Sequence, residues 1–189
     1  MAEMRADIVM IVGPSGSGKD TIIQAVREAR PDIHKTVSCT TRAIRAGEEE
    51  GIAYHFLNVA EFQDKIEKGE FIEWAQFPPH TGDYYGTLRS ELERADVTLL
   101  KIEIQGVRQV KELYPDALVF FVVPSSIEVL RKRILLREDM PVEKLEARLT
   151  RALAEMEEGP TIADHIIINV DGEEGLRSAV SEILSFLPQ

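Results

Sequence analysis

The chain has one cysteine, Cys39, in 189 residues, so no disulfide can form within it and a reducing compartment is expected. It has no apolar run approaching 18 residues, which excludes a spanning helix. Its start, MAEMRADIVMIVG, has no apolar segment followed by a cleavage site, so no signal peptide is expected. Basic residues are scarce: 22 Lys and Arg stand against 33 Asp and Glu, a formal charge of −11. A large nucleic-acid partner needs a basic footprint, and this balance argues against one. There is no internal repeat and no low-complexity segment. These absences leave a cytoplasmic globular protein. The length suits one domain with small inserted lobes, and the composition, 44% hydrophobic and 29% charged, is ordinary for that class.

The order of elements points to an α/β protein. Ile8 to Val12 is a continuous apolar run, suited to a buried parallel strand, and Gly13-Pro14 ends it. Ile22, Ile23, Val26 and Ala29 then share one helical face, and Pro31 stops the helix. Residues 97–104 (VTLLKIEI), 117–123 (ALVFFVV) and 164–169 (DHIIIN) read as further buried strands. Leu176, Ala179, Val180, Ile183, Leu184 and Leu187 form the face of a closing amphipathic helix. This alternation predicts a parallel sheet covered by helices on both faces. Residues 38–87 break the rhythm with polar turns and short strands (AYHFL, FIEWAQF) and read as an inserted mixed α/β lobe. The three acids at 48–50 read as a solvated turn. Residues 133–157 read as a charged helical lid with Leu145, Leu149, Leu153 and Met156 on its apolar face.

The motif with the most direct chemistry is GPSGSGKD, comprising Gly13, Pro14, Ser15, Gly16, Ser17, Gly18, Lys19 and Asp20, with Thr21 following. Placed between a strand and a helix, it matches G-x-x-x-x-G-K, a loop whose amides turn inward on phosphate oxygens. The helix N-terminus adds its free N–H groups and its dipole. Lys19 can reach the β- and γ-phosphates. The eighth position should carry a hydroxyl for Mg²⁺, and here it is Asp20. In SCTTRAIR, Arg42 and Arg45 sit three apart among Ser38, Thr40 and Thr41, a candidate phosphate clamp. GDYYGT is a Gly-bracketed turn offering Tyr84, Tyr85 and Thr87. Glu73 and Glu103 lie in or beside apolar strands, where a carboxylate needs donors. A guanine edge offers two.

Together these segments resemble the guanylate kinases over nearly the whole chain, from about Ile8 to about Leu184. The resemblance rests on the phosphate loop, SCTTRAIRAGEEEGIAYHF, GEFIEWA, YYGT, the QG turn, the lid arginines and the IIN segment. It implies a P-loop NTPase fold, with a core of residues 1–37, 88–132 and 158–189, a GMP-binding lobe at 38–87 and a lid at 133–157. It implies transfer of the γ-phosphoryl of ATP to GMP, with Mg²⁺ as cofactor. Ser38, Glu73 and Glu103 would read guanine. Arg42, Arg45 and Tyr54 would hold the GMP phosphate with Tyr85, and Thr87 would lie close by. Lys19 and the loop amides would bind ATP phosphates, with Asp20 as a candidate metal ligand and Asn169 near the adenine. Arg133, Arg137 and Arg148 would close from the lid on the transferring phosphoryl. The partners implied are GMP and ATP, with no membrane or nucleic acid, and a homodimer is left open.

Three features depart from the family pattern. Asp20 replaces the loop hydroxyl, Lys101 stands where an acid is usual, and the segment before YYGT is longer, at Pro78–Thr81. A carboxylate ~4 Å from a triphosphate charge costs on the order of 4 kcal/mol at an effective dielectric of about 20. Mg²⁺ bound by Asp20, or an Asp20–Lys101 pair, would offset that. Two other readings compete. Related kinases that phosphorylate ribose 1,5-bisphosphate also carry GKD, although the full set at Ser38, Arg42, Arg45, Tyr54, Glu73 and Tyr85 opposes that reading. Guanylate-kinase-like scaffold domains bind phosphopeptides without catalysis, but they usually lose the loop lysine or the lid arginines that this chain keeps.

Overall fold

β1 (Asp7–Val12) enters the Gly-rich loop, and α1 (Lys19–Ala29) leaves it. The computed structural model describes residues 7–77, 82–135 and 142–188. Then come β2 (His34–Lys35), β3 (Cys39–Thr40), β4 (His55–Phe56), α2 (Val59–Glu67), β5 (Phe71–Phe77) and β6 (Asp83–Leu88). They are followed by β7 (Val97–Lys101), α3 (Ile104–Leu113), β8 (Leu118–Pro124), α4 (Ile127–Leu135), α5 (Val142–Glu158), β9 (His165–Asn169) and α6 (Glu173–Ser185). One sheet has the order β2-β7-β1-β8-β9, in which the pairs β2–β7, β1–β8 and β8–β9 are parallel. A second has the order β4-β3-β6-β5 and mixes parallel and antiparallel pairs. The α/β alternation read from the sequence is therefore present, with a separate mixed sheet built from residues 39–88.

Backbone contacts divide the chain into two units. The described residues of the first are 7–8, 32–77, 82–101 and 105–117. Within it, α2 begins with a reciprocal cap: the Glu61 N–H donates to Asn58 Oδ1, and the Asn58 N–H donates to Glu61 Oε2. Such a cap stabilises a helix by ~1 kcal/mol. Phe62 from α2 stacks on Phe71 with ring centroids 4.3 Å apart, and Cys39 completes the small core beneath the mixed sheet. Burial pushes the Cys39 thiol up to about 12, so it is packed and unreactive there.

The second unit comprises residues 9–31, 102–104, 118–135 and 142–188 among those described. Ile22, Ile23 and Val26 of α1 are buried as the helical pattern predicts, while Ala29 in its last turn is exposed. Leu130 and Ile134 of α4 pack on Ala152, Leu145, Leu149 and Met156 of α5. Residues 145, 149, 152 and 156 share one face at helical spacing. Ala152 thus takes the place expected for Leu153, which is 38% exposed.

Two further expectations are corrected. The apolar run 97–104 is not one strand: β7 ends at Lys101, and α3 starts at Ile104. An alternating IEI segment fits a strand edge or a helix start equally well, so periodicity alone could not divide it. GDYYGT is not a turn but most of strand β6. The parallel sheet flanked by helices is as expected, with Ile166 and Ile168 of the terminal strand β9 46% and 58% exposed. The longer turn at Pro78–Thr81 lies outside the described residues.

Candidate active site

The phosphate loop is shaped by its backbone. Gly13, Gly16 and Gly18 have φ values of 145°, 85° and 92°, which side-chain-bearing residues rarely adopt. At Gly18 space is closed as well: a Cβ there would lie 2.1 Å from Asn169 Nδ2. That Asn169 amide donates to the Ser17 carbonyl at 2.7 Å. Arg133 reaches from α4 to the same carbonyl at 3.1 Å, and its other nitrogen pairs with Asp171. The Lys19 ammonium donates to the carbonyls of Gly13 and, at 2.9 Å, Pro14, so it spans the loop from inside. Ser15, Asp20 and Thr21 are exposed around this turn. Asp20 occupies the first turn of α1, where the helix dipole favours a carboxylate. Asp20 belongs to the second unit and Lys101 to the first.

A second cluster in this unit was not anticipated. Arg151 of α5 donates from Nε to Glu155 at 2.7 Å and from Nη2 to Glu103 at 3.0 Å. Glu103, expected as a reader of guanine, therefore groups here with α5. Burial pushes the Glu155 carboxyl up, and Glu103 pushes it further; Arg151 and Lys19 oppose the rise without cancelling it. Arg148 is half-buried on the same helix. Arg137 lies outside the described residues.

The first unit brings together most of the residues expected to hold the acceptor. Thr87 Oγ1 donates to Glu73 Oε1 at 2.7 Å, and the Ser38 hydroxyl lies 3.3 Å from Thr87. Thr87 has one hydrogen, and Glu73 takes it, so Ser38 is the donor in the second bond. Glu73 is only 6% exposed. A register shift between Phe71 and Glu73 breaks the alternation of β5, sets Glu73 opposite Thr87, and leaves Phe71, Ile72 and Glu73 all buried.

Beside it, the Arg42 guanidinium lies 5.5 Å from the centre of the Tyr54 ring and 6.0 Å from that of Phe56, in cation–π range. Tyr54 and Tyr85 meet edge to face, 6.1 Å apart. Arg42 also donates to Glu48 at 2.7 Å, and the Arg45 backbone N–H donates to the other Glu48 oxygen. These bonds hold the Glu48 carboxyl below its usual range and raise Arg42. The Arg45 side chain itself is exposed. Two of the three acids at 48–50 are thus partnered and not merely solvated. Glu48 organises the arginine loop, and Glu50 accepts from the Phe56 N–H at 2.8 Å.

Among the described residues no group of three His, Cys, Asp or Glu side chains is arranged to hold a metal ion. Mg²⁺ is commonly bound by one or two carboxylates together with substrate phosphates, so Asp20 at the phosphate loop fits that chemistry.

A parallel sheet with a glycine-wound loop between its central strand and a helix N-terminus defines a P-loop nucleotide-binding protein. The family model described as guanylate kinase matches residues 5–186. A guanylate kinase from Prochlorococcus marinus is 37% identical over 182 residues, covering 94% of this chain and 97% of that relative. A guanylate kinase from Symbiobacterium thermophilum is 40% identical over 184 residues, covering 95% of this chain and 83% of its own length. The crystal structure of guanylate kinase from Anaplasma phagocytophilum superposes with a TM-score of 0.71 at 28% identity, covering 97% of this chain and 85% of that one. The chain belongs to the guanylate kinase family.

Proposed function

We propose that the chain catalyses ATP + GMP = ADP + GDP by direct phosphoryl transfer. The observation that carries this reading is that a wound phosphate loop with Lys19 and a carboxylate–hydroxyl cluster, Ser38–Thr87–Glu73, occur together in a member of this family. Lys19 and the loop amides hold the β- and γ-phosphates of ATP. Arg133, Arg137 and Arg148 supply positive charge where the transition state spreads negative charge over the phosphoryl oxygens. Arg42 and Arg45, with Tyr54 and Tyr85, grip the GMP phosphate, and Ser38 and Glu73 read the guanine edge. Glu103 gives that edge a further carboxylate once it leaves Arg151. Asn169, already bonded to the loop, lies on the adenine side.

Little covalent work falls to the protein, which aligns donor and acceptor and excludes water so that GMP receives the phosphoryl. Residues 38–87 and 133–157 serve as acceptor lobe and lid on a core of 1–37, 88–132 and 158–189. Asp20 would hold Mg²⁺ at the triphosphate, where the ion would offset negative charge on the phosphoryl group. No helix among the described residues is long and apolar enough to cross a membrane. We place the enzyme in the cytoplasm.

An acceptor panel with ATP and either Mg²⁺ or Mn²⁺ tests the reading. GMP turnover well above that of AMP and of ribose 1,5-bisphosphate is expected. Phosphorylation of the sugar phosphate without GMP turnover overturns it in favour of the related sugar-phosphate kinases. GMP binding with no ATP-dependent product overturns it in favour of a binding module.

A further inference from the structure

The Glu73 carboxylate is buried against α3. A Cβ at Gly106, in the first turn of α3, would lie 2.8 Å from Glu73 Oε2, 3.3 Å from Cδ and 3.5 Å from Cγ. The Gly106 backbone has no positive φ that would demand glycine, so the requirement is one of space. One helical turn on, Gln109 takes both outward backbone groups of the neighbouring residue. Its Oε1 accepts from the Trp74 N–H at 3.1 Å, and its Nε2 donates to the Trp74 carbonyl at 2.8 Å. β5 is the edge of its sheet, and Trp74 pairs inward with Gly86. The Gln109 amide therefore does for this edge what a further strand would do. Residues 106 and 109 share one face of α3. That face meets Glu73 through a gap without a side chain and Trp74 through a two-point clamp.

We propose that α3 is the positioning element of guanine recognition. Gly106 leaves the room in which the Glu73 carboxylate takes its reading position, and Gln109 locks the adjacent peptide so that β5 cannot slide. This rests on the reading that Glu73 contacts guanine. A methyl group at position 106 has a cheap way out, because the atom it meets is the end of a flexible side chain. The fold therefore survives Gly106→Ala, and helix propensity favours it. The carboxylate moves instead, away from its Thr87 bond and from the guanine edge. Gly106 and Gln109 are positioning residues that act through Glu73 and need not touch the nucleotide.

The test is steady-state kinetics with GMP and with IMP, which lacks the 2-amino group, on G106A, Q109A, E73D, E73Q and the G106A/E73D double variant. G106A is expected to raise the KM for GMP by about tenfold and to narrow the GMP-to-IMP preference, since misplacement of a contact group by ~1 Å has effects of that order or larger. Its kcat at saturating GMP and its KM for ATP stay within about twofold, and its Tm is not lowered. Q109A moves the same quantities by about threefold. In the shortened E73D background, where the carboxylate no longer reaches the added methyl, G106A costs less than about threefold, so the two changes are not additive. If G106A and Q109A both leave the GMP KM within twofold of wild type while E73Q raises it, α3 does not position Glu73 and the proposal falls with the guanine reading intact. Additive G106A and E73D effects reject it equally. If E73Q itself changes neither KM nor the IMP ratio, the guanine reading fails, and this proposal with it.

Discussion

In the phosphate loop the chain works with its backbone, and in the Ser38–Thr87–Glu73 cluster it works with side chains. The loop needs glycines at fixed spacing because positive φ and inward N–H groups are local properties of consecutive residues. The Ser38–Thr87–Glu73 cluster, the proposed acceptor site, needs three residues separated by 35 and 14 positions, brought together by a bulge in β5, a hydroxyl on β6 and the end of the link from β2 to β3. Two glycines show the contrast. Gly18 is locked by both its left-handed φ and Asn169, whereas Gly106 is open in φ and meets only a carboxylate tip. One is required by the backbone of the loop, the other, on the proposed reading, by the room that Glu73 takes.

The largest effect should come from the backbone-built side. Lys19→Met removes the loop's cation and is expected to lower kcat by ~10²–10³ while GMP affinity by calorimetry stays within threefold. Equal losses in both would show that the two sites are not separable. Glu73→Gln keeps the shape and removes the charge. It is expected to raise the GMP KM by roughly 10–100-fold and to leave the ATP KM unchanged, because an unpaired buried polar group is what penalises a mismatched ligand. Gly18→Ala should destabilise the fold by ~1–3 kcal/mol in denaturant unfolding, through strained φ and displacement of Asn169. A variant as stable as wild type would break the distinction between the two glycines.

Two smaller effects concern charge. Glu48→Gln frees Arg42 and the Arg45 N–H, and a three- to tenfold rise in the GMP KM is expected, on the order of one lost charge-assisted bond. The smallest effect concerns Glu155. Its carboxyl is raised in the folded state, so the fold holds that proton more tightly than the unfolded chain does. Stability from this group is present at and below the ordinary carboxylate range and is lost as pH rises through the raised value. Glu155→Gln should therefore melt slightly higher than wild type at pH 7–8, with the gap closing toward pH 4. A gap that widens on acidification would reverse the assigned cause.

The legible and illegible parts of the sequence divide along the same line. The loop, β1, α1, β8, β9 and α6 were readable because each depends on neighbours in the chain. The resemblance supplied Ser38, Glu73 and Thr87, and their mutual bonds follow from tertiary structure. Gly106 was visible only as half of a QG turn, because its reason, Glu73, lies 33 residues upstream. Gln109 and Arg151 carried no local signal: a glutamine that caps a strand edge looks like any helix-surface glutamine. Glu48 was read as solvated since an EEE run usually is, yet Arg42 lies six residues away across the turn.

The most direct measurement is a crystal structure with GMP and a non-hydrolysable ATP analogue bound together. Glu73 should face the N1–H and 2-amino groups of guanine, Arg42 the nucleotide's phosphate, and Lys19 the triphosphate. Guanine density away from the Ser38–Thr87–Glu73 cluster, with Arg42 still turned only to Glu48, would contradict the division of labour between the two sites.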